Sequence, residues 1–231
     1  MKEEYDAAKK LSKVVKGKRV FKEGKVLEAA FLGYPKAIAR LASLAEGEKL
    51  YDEGKVLEAA NLGYPEAMGE MARNYFEGAN GFEKDYAKGI KLAMKAANEG
   101  DEVGMFYLGY CYLIGSSVAR NYAFALSWYE RIEEKNLGET YYNIGLIYHD
   151  GGFGVYQDYA KAIEYFRKAV DLGYTDAAYY LGSFYFCGRS VDQSFVKARK
   201  YFKIAADKNN TRAQYRLGLM MIDGEGGEKN R

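Results

Sequence analysis

One short pattern returns seven times along the chain and restricts what it can fold into. A leucine-type residue followed by a small one occurs at Leu11, Leu41, Met71, Leu108, Ile144, Leu181 and Leu217, at spacings of 30, 30, 37, 36, 37 and 36 residues. The small residues are Ser12, Ala42, Ala72, Gly109, Gly145, Gly182 and Gly218. Four residues before the leucine position stand Ala7, Ala37, Ala67, Gly104, Thr140, Ala177 and Ala213. Four after it stand Val15, Ala45, Tyr75, Tyr112, Tyr148, Tyr185 and Met221. Positions −4, 0 and +4 share one stripe of an α-helix. This helix is called A, its stripe is expected to be the seam to a partner helix, and the small +1 residue is expected to admit another backbone. A period of this length means stacked units, each too small to bury its own apolar face.

A second helix, B, has its own register. Asp85, Asn121, Asp158 and Ser194 recur at 36 or 37 residues. All are N-cap formers, whose side-chain oxygen satisfies an orphan amide of the first turn. Three residues earlier come Phe82, Val118, Val155 and Val191, which would pin the loop to the core. Seven residues after the cap come Leu92, Trp128, Tyr165 and Tyr201, the predicted large core residue of helix B. Gly33, Gly63, Gly100, Gly138, Gly173 and Asn209 are the predicted stops, each able to take the left-handed conformation. Cap, core residue, stop and period agree, and they predict an all-α solenoid of helix pairs. The 26 glycines and 2 prolines fit many short helices.

Read through one unit, the pattern is Ala177–Leu181–Gly182–Tyr185–Gly188–Val191–Ser194–Lys197–Ala198–Tyr201–Ala205. It resembles the Sel-1-like repeat, a relative of the tetratricopeptide repeat with a longer, glycine-bearing loop, and GVYQDYAKAIEYFRKAVDLG at 154–173 is the best example. The resemblance covers residues 60–227. It implies a right-handed α/α superhelix serving as scaffold or adaptor. The expected organisation is one solenoid domain over 1–231. Within it, 7–66 would form two short, loop-less repeats acting as an N-terminal cap, 67–212 four full repeats, and 213–231 a last A helix with a truncated loop. In the short repeats helix B is expected to begin almost directly after Gly17 or Gly47. Unit 104–138 departs from the pattern through two extra residues before Gly138, and Ile132 replaces an alanine.

On the side of helix A away from the seam, at positions −2, +2 and +5, an aromatic or aliphatic residue recurs across four units. The residues there are Phe106, Tyr110 and Leu113; Tyr142, Leu146 and His149; Tyr179, Ser183 and Phe186; Tyr215, Leu219 and Ile222, with Arg73 and Phe76 opening the series. A helix apolar on both sides is buried on both or lines a groove. By analogy with tetratricopeptide arrays this stripe is the concave surface, and the reading is a groove for a peptide or helix of another protein. The alternative is that these aromatics pack between neighbouring A helices. At Lys9, Lys13, Lys16, Ala39, Ser43 and Glu46 the stripe is interrupted, as in a solvated capping unit. The C-terminal helix A has no helix B after it in the sequence, which offers an open end for self-association or for a longer array.

Other chemistry is weakly represented. Net charge is +2, from 34 basic and 32 acidic residues, unlike a nucleic-acid surface. No Cys/His cluster has metal spacing and no cofactor is expected. His149 reads as a packing or contact residue. Ser194-x-x-Lys197 matches the serine β-lactamase pattern, and some secreted Sel-1-like proteins are described as β-lactam enzymes. The repeat already accounts for both residues, so a β-lactam or cell-wall hydrolase is the weakest alternative, and a non-enzyme is expected. The glycine-rich loops 78–85 and 151–158 lack a P-loop ending. Cys111 and Cys187 fall in different repeats and are read as reduced, buried residues. With no leader or span-like run, the expected location is cytoplasmic.

Overall fold

The computed structural model describes residues 35–132 and 138–227. The first repeat, 7–33, with its lysines and Gly33, lies outside them. Apart from one isolated bridge between Gly152 and Val155, regular structure among the described residues is all α-helix. The helices are α1 (Pro35–Asp52), α2 (Val56–Asn61), α3 (Pro65–Glu77), α4 (Tyr86–Asn98), α5 (Glu102–Ile114) and α6 (Tyr122–Tyr129). Then come α7 (Gly138–Asp150), α8 (Tyr159–Asp171), α9 (Asp176–Cys187), α10 (Phe195–Ala206) and α11 (Thr211–Asp223). Odd-numbered helices are A helices and even-numbered ones B helices.

All four predicted caps form. The side chains of Asp85, Asn121, Asp158 and Ser194 accept from the amides of Lys88, Phe124, Lys161 and Lys197 at 2.9, 3.0, 3.0 and 3.3 Å. Each caps residue sits in an extended conformation just before its helix. Gly63, Gly100, Gly173 and Asn209 take positive φ and stop their helices. Gly138 does not. It opens α7, and a methyl group there would lie 2.8 Å from Cβ of Tyr174. Glycine is needed at this point for close approach, and α6 stops earlier, at Tyr129. Gly47 is likewise not a boundary. Helix α1 runs through it to Asp52, the left-handed residue is Gly54, and helix B of this unit is only Val56–Asn61. A methyl on Gly47 would meet Cβ of Tyr64 at 2.7 Å.

The large core residue of helix B sits one position later than predicted, eight residues after the cap. Tyr129, Phe166 and Phe202 are 2%, 0% and 1% exposed, while Trp128, Tyr165 and Tyr201 are half-buried. Helical phase explains the shift. The positions four, five and eight after Asp158 are Ala162, Ile163 and Phe166, all buried, and they form one stripe. The position-seven rings instead stack on the +4 tyrosines of helix A. Tyr165 lies over Tyr148 and Tyr201 over Tyr185, with centroids 5.8 and 5.7 Å apart. Lys161 and Lys197 cover the same Tyr148 and Tyr185 rings at 4.9 and 5.1 Å. Such contacts add ~0.5–1 kcal/mol each at half-exposed sites.

The small +1 residue also has a different job from the one expected. At Gly145 and Gly182 it admits an aromatic ring of the unit's own helix B. A methyl group there would sit 2.7 Å from Phe166 and 2.6 Å from Phe202. Backbone approaches backbone at the −4 position, where a methyl on Gly104 would meet the amide nitrogen of Ala97 at 2.7 Å.

The chain divides into two compact units near the end of α5, one containing residues up to Cys111 with Ser116–Ala119, the other Tyr112–Gly115 with the residues from Arg120 on. In the first, Ala59, Ala67, Met68, Met71 and Ala96 form a shared core. In the second, helix α9 is enclosed by two B helices. Ala177, Leu181 and Phe184 pack with Ala162, Phe166 and Ala169 of α8, while Ala178 and Tyr185 pack with Ala198 and Phe202 of α10.

Candidate partner-binding surface

The predicted stripe residues occupy three kinds of environment. Phe76, Phe106 and Leu113 are buried, at 5%, 8% and 8% exposure. Arg73, Tyr110, Tyr142, Leu146, His149, Tyr179, Ser183 and Phe186 are half-buried. Tyr215, Leu219 and Ile222 are exposed, at 67%, 36% and 60%.

A regular contact rule accounts for five of the residues in the first two groups. The +5 residue of helix A packs on the first residue of its own helix B. Phe76 meets Tyr86, His149 meets Tyr159 and Phe186 meets Phe195, with centroids 5.8, 5.8 and 5.4 Å apart. The −2 residue packs on the deep aromatic of the same helix B. Tyr142 meets Phe166 at 6.0 Å and Tyr179 meets Phe202 at 5.9 Å. The fold therefore uses this side of helix A, at −2 and +5, for its own packing. Of the +2 residues, Leu146 packs against the Phe166 cluster and the Ser183 hydroxyl donates to the carbonyl of Tyr179 at 3.0 Å.

His149 belongs to an aromatic cluster. It lies 5.4 Å from Tyr180 and 5.7 Å from Phe184, and its Nδ1 is 2.7 Å from Asp150 Oδ1. Arg73 approaches Glu70 at 3.7 Å, and that carboxylate also accepts from the Tyr51 hydroxyl at 3.0 Å. Burial, and after it the Glu70 hydrogen bond, pushes the Tyr51 hydroxyl up to about 12.

Two of the stripe residues, Tyr142 and Tyr179, share a cleft of about 270 Å³ in the second unit. Its other walls are Asp176, Tyr180, Asn209, Asn210, Thr211 and Arg212. The turn between α10 and α11 builds one side. Asn209 holds positive φ there, and the Asn210 side chain both accepts from the Ala213 amide at 3.0 Å and donates to Asp176 Oδ1 at 2.9 Å. Burial first and Tyr180 second drive the Tyr142 hydroxyl far above the ordinary phenol range. Arg212 is exposed, and its charge is felt at Tyr180. The cleft thus presents phenol rings beside amides, the Asp176 carboxylate and one cation, a set suited to a peptide's carbonyls, amides or hydroxyls. The polar wall was missed in the sequence because its residues sit in a turn, outside the helical register used to find the stripe.

A second cleft, of about 370 Å³, lies in the first unit among Lys55, Leu57, Glu58, Glu70, Asn74 and Phe82. It adjoins the two-turn helix α2, and none of its residues belongs to the predicted stripe.

The remaining candidates have structural roles or none. Ser194 Oγ is engaged by the Lys197 amide, and Lys197 Nζ lies over Tyr185, so the Ser-x-x-Lys pair is a cap with a cation–aromatic contact. Among the described residues no group of acidic, histidine and cysteine side chains is placed to hold a metal, and no helix is long and apolar enough to cross a membrane. Cys111 is buried, and that burial pushes its thiol up to about 12. Cys187 is exposed rather than buried, because it ends α9 just before left-handed Gly188.

Comparison with known proteins agrees with this architecture. The model of the Sel1 repeat matches residues 65–101, 103–137, 138–174, 175–210 and 211–231. The structure is similar to that of c5321, a protective antigen of uropathogenic Escherichia coli displaying an SLR fold. Identity is 32% and TM-score 0.67, over 77% of this chain and 38% of that one. It is also similar to a Sel1 repeat protein from Oxalobacter formigenes. There identity is 29% and TM-score 0.64, over 81% of this chain and 78% of that one.

Proposed function

Because the chain belongs to the Sel1 repeat family, whose members are typically non-catalytic scaffolds that mediate protein–protein interaction, we propose that it is an adaptor whose partner segment binds along the A helices of the second unit. The observation that carries the proposal is the cleft walled by Tyr142, Tyr179, Asn210 and Arg212, which joins half-buried aromatic surface to the exposed Arg212 guanidinium. Tyrosine and arginine are the residue types that most often anchor interfaces. An extended peptide would lay an apolar side chain on Tyr179 and offer a carbonyl to Arg212.

Selection from a displayed random-peptide library, followed by affinity measurement on single peptides, tests this. Tyr179→Ala and Arg212→Glu should each weaken selected peptides about tenfold or more, the scale of a lost anchor. Tyr142→Ala is the poorer probe, since Tyr142 also packs on Phe166, Tyr174 and Tyr180. Peptides that bind both variants as well as the wild type would refute the assignment of this cleft.

A further inference from the structure

In the second unit, the loop between α7 and α8 lies over the start of the preceding B helix, α6. The ring of Phe153, two residues after Gly151, meets that of Tyr122, the first residue of α6, at 5.1 Å. In the following seam Tyr159, the first residue of α8, takes the same place, with Arg189 of the next loop over its ring at 5.7 Å. The fold thus seats an aromatic ring where a B helix starts beneath the next repeat's loop.

The seam between α2 and α3 keeps this frame without the rings. Ala59 and Ala60 of α2 are buried as Ala125 and Leu126 of α6 are, so Val56 stands in register with Tyr122. Gly78 matches Gly151, and Asn80, also at positive φ, matches Phe153. Helices α2 and α3 pack together through Ala59, Ala60, Met68 and Met71. Val56 and Asn80 line the cleft of about 370 Å³ beside that core. The opening is therefore written in this seam's own sequence, which has a valine and an asparagine where α6 and its covering loop have rings.

The cleft also has polar walls. Asn74 is 3% exposed and occupies a position that is Cys111, Ile147, Phe184 and Met220 in the later A helices. An amide buried at an apolar position is costly unless its hydrogen bonds are made. Its Oδ1 accepts from Asn80 Nδ2 at 3.0 Å, and the N–H groups of its own Nδ2 are what it can offer a ligand. Glu70, one turn earlier, already holds one phenol, accepting from the Tyr51 hydroxyl at 3.0 Å. Glu58 adds a second carboxylate, while Lys55, the cation of the cleft, is paired with Glu53 at 2.7 Å.

We propose that this cleft is a second partner-binding site, and that it takes the side chain of a tyrosine from a segment of another protein. The ring lies against Val56, Leu57, Met71 and Phe82, where the second unit supplies rings of its own. The hydroxyl accepts from Asn74 and donates to Glu70. Phosphorylation of that tyrosine prevents binding, because Glu58 and Glu70 repel the phosphate. The volume is near the lower end of the ~300–1,000 Å³ range of ligand clefts, which suits one side chain and its backbone. The site lies in the first unit, so it and the cleft at Tyr179 and Arg212 can fail separately.

The probes are end-blocked tripeptides with tyrosine, phenylalanine, leucine or phosphotyrosine between two glycines. Each is titrated into the whole 231-residue protein while the side-chain amide signals of Asn74 and Asn80 are followed by NMR. The tyrosine probe should shift both signals saturably and bind about threefold or more tighter than the phenylalanine probe, the scale of one hydrogen bond. The leucine and phosphotyrosine probes should give no saturable shift. Asn74→Leu, read on the Asn80 signal, should erase the preference for tyrosine over phenylalanine while both still bind. Leu57→Asp, at a position 53% exposed, should weaken both rings about tenfold or more. Tyrosine and leucine probes binding alike, a phosphotyrosine probe binding as tightly as tyrosine, a tyrosine preference that survives Asn74→Leu, or no saturable shift at these amides would each overturn the proposal.

Discussion

Gly182 and Gly218 hold the same place in successive units, yet the same substitution should act on them in opposite directions. Alanine in place of a mid-helix glycine favours the helix by about 0.8–1.0 kcal/mol. At Gly218 nothing opposes this gain, because no atom lies within 4 Å of the new methyl. At Gly182 the methyl would sit 2.6, 2.7 and 3.0 Å from three ring carbons of Phe202. That ring is 1% exposed and wedged among Ala178, Tyr185 and Ala205, so it has little room to retreat. Overpacking of this kind costs about 1–3 kcal/mol. Gly218→Ala should therefore stabilise by up to ~1 kcal/mol, while Gly182→Ala should be neutral to ~2 kcal/mol destabilising. The helix-propensity contribution cancels between the two, so their difference isolates the ring contact at about 1–3 kcal/mol. Thermal unfolding followed by circular dichroism resolves this, since 1 kcal/mol moves the midpoint about 2–4 °C in a chain of this size. Gly182→Ala/Phe202→Leu should recover part of the loss. Equal midpoints for the two single variants would refute the reasoning, because the ring at Gly182 would then exert no steric constraint.

Other expectations are simpler. Phe166→Ala, which removes a ring with no exposure at all, should cost about 3–5 kcal/mol in denaturant unfolding. Asp158→Ala and Ser194→Ala should each cost about 0.5–2 kcal/mol through loss of a helix cap, and Ser194→Ala should leave any β-lactam turnover by the preparation unchanged. Native-state thiol titration should modify Cys187 promptly and Cys111 only after unfolding, and prompt modification of both would contradict the placement of Cys111. Burial raises the folded-state value of the Cys111 thiol above that of the unfolded chain. Its contribution to stability should be complete below the unfolded thiol value, near 9, and should fall as pH rises from there toward about 12. Unfolding midpoints of wild type and Cys111→Ala compared from pH 8 upward test the sign.

The units, caps and most stops were legible because each depends on one residue type at one spacing. Asp85, Asn121, Asp158 and Ser194 satisfy local amides, and local chemistry is written locally. The errors came where two registers meet. Leucine position and cap each set a phase, but the sequence does not state how two helices rotate against one another. The deep aromatic was thus placed at Tyr165 rather than Phe166, one position around the helix. Glycine was the other source of error. Gly47, Gly54 and Gly138 look alike in sequence, yet only Gly54 has positive φ, while Gly47 and Gly138 serve close approach to Tyr64 and Tyr174. The stripe residues were found by periodicity, but periodicity reports apolar faces without saying what they touch. Five of the fourteen, Phe76, Tyr142, His149, Tyr179 and Phe186, touch the unit's own helix B. The polar wall at Asn209–Arg212 lies in a turn, where no periodicity exists to reveal it.

In four of the loops that lead from an A helix to its B helix, the second residue after the C-terminal glycine also takes positive φ, at Asn80, Ser117, Phe153 and Ser190. Phe153 pays the steric cost of that conformation with a bulky side chain, and its carbonyl receives the amides of Tyr122 and Ala123 at 3.0 and 3.4 Å. The start of α6 is thus capped by the main chain of the following repeat as well as by Asn121. Peptide groups and side chains act together at this joint, since the Phe153 ring also lies against Tyr122 and beneath Arg120. Divergence between these two repeats is therefore confined to changes that keep the loop's length, its left-handed turn and a ring at position 153.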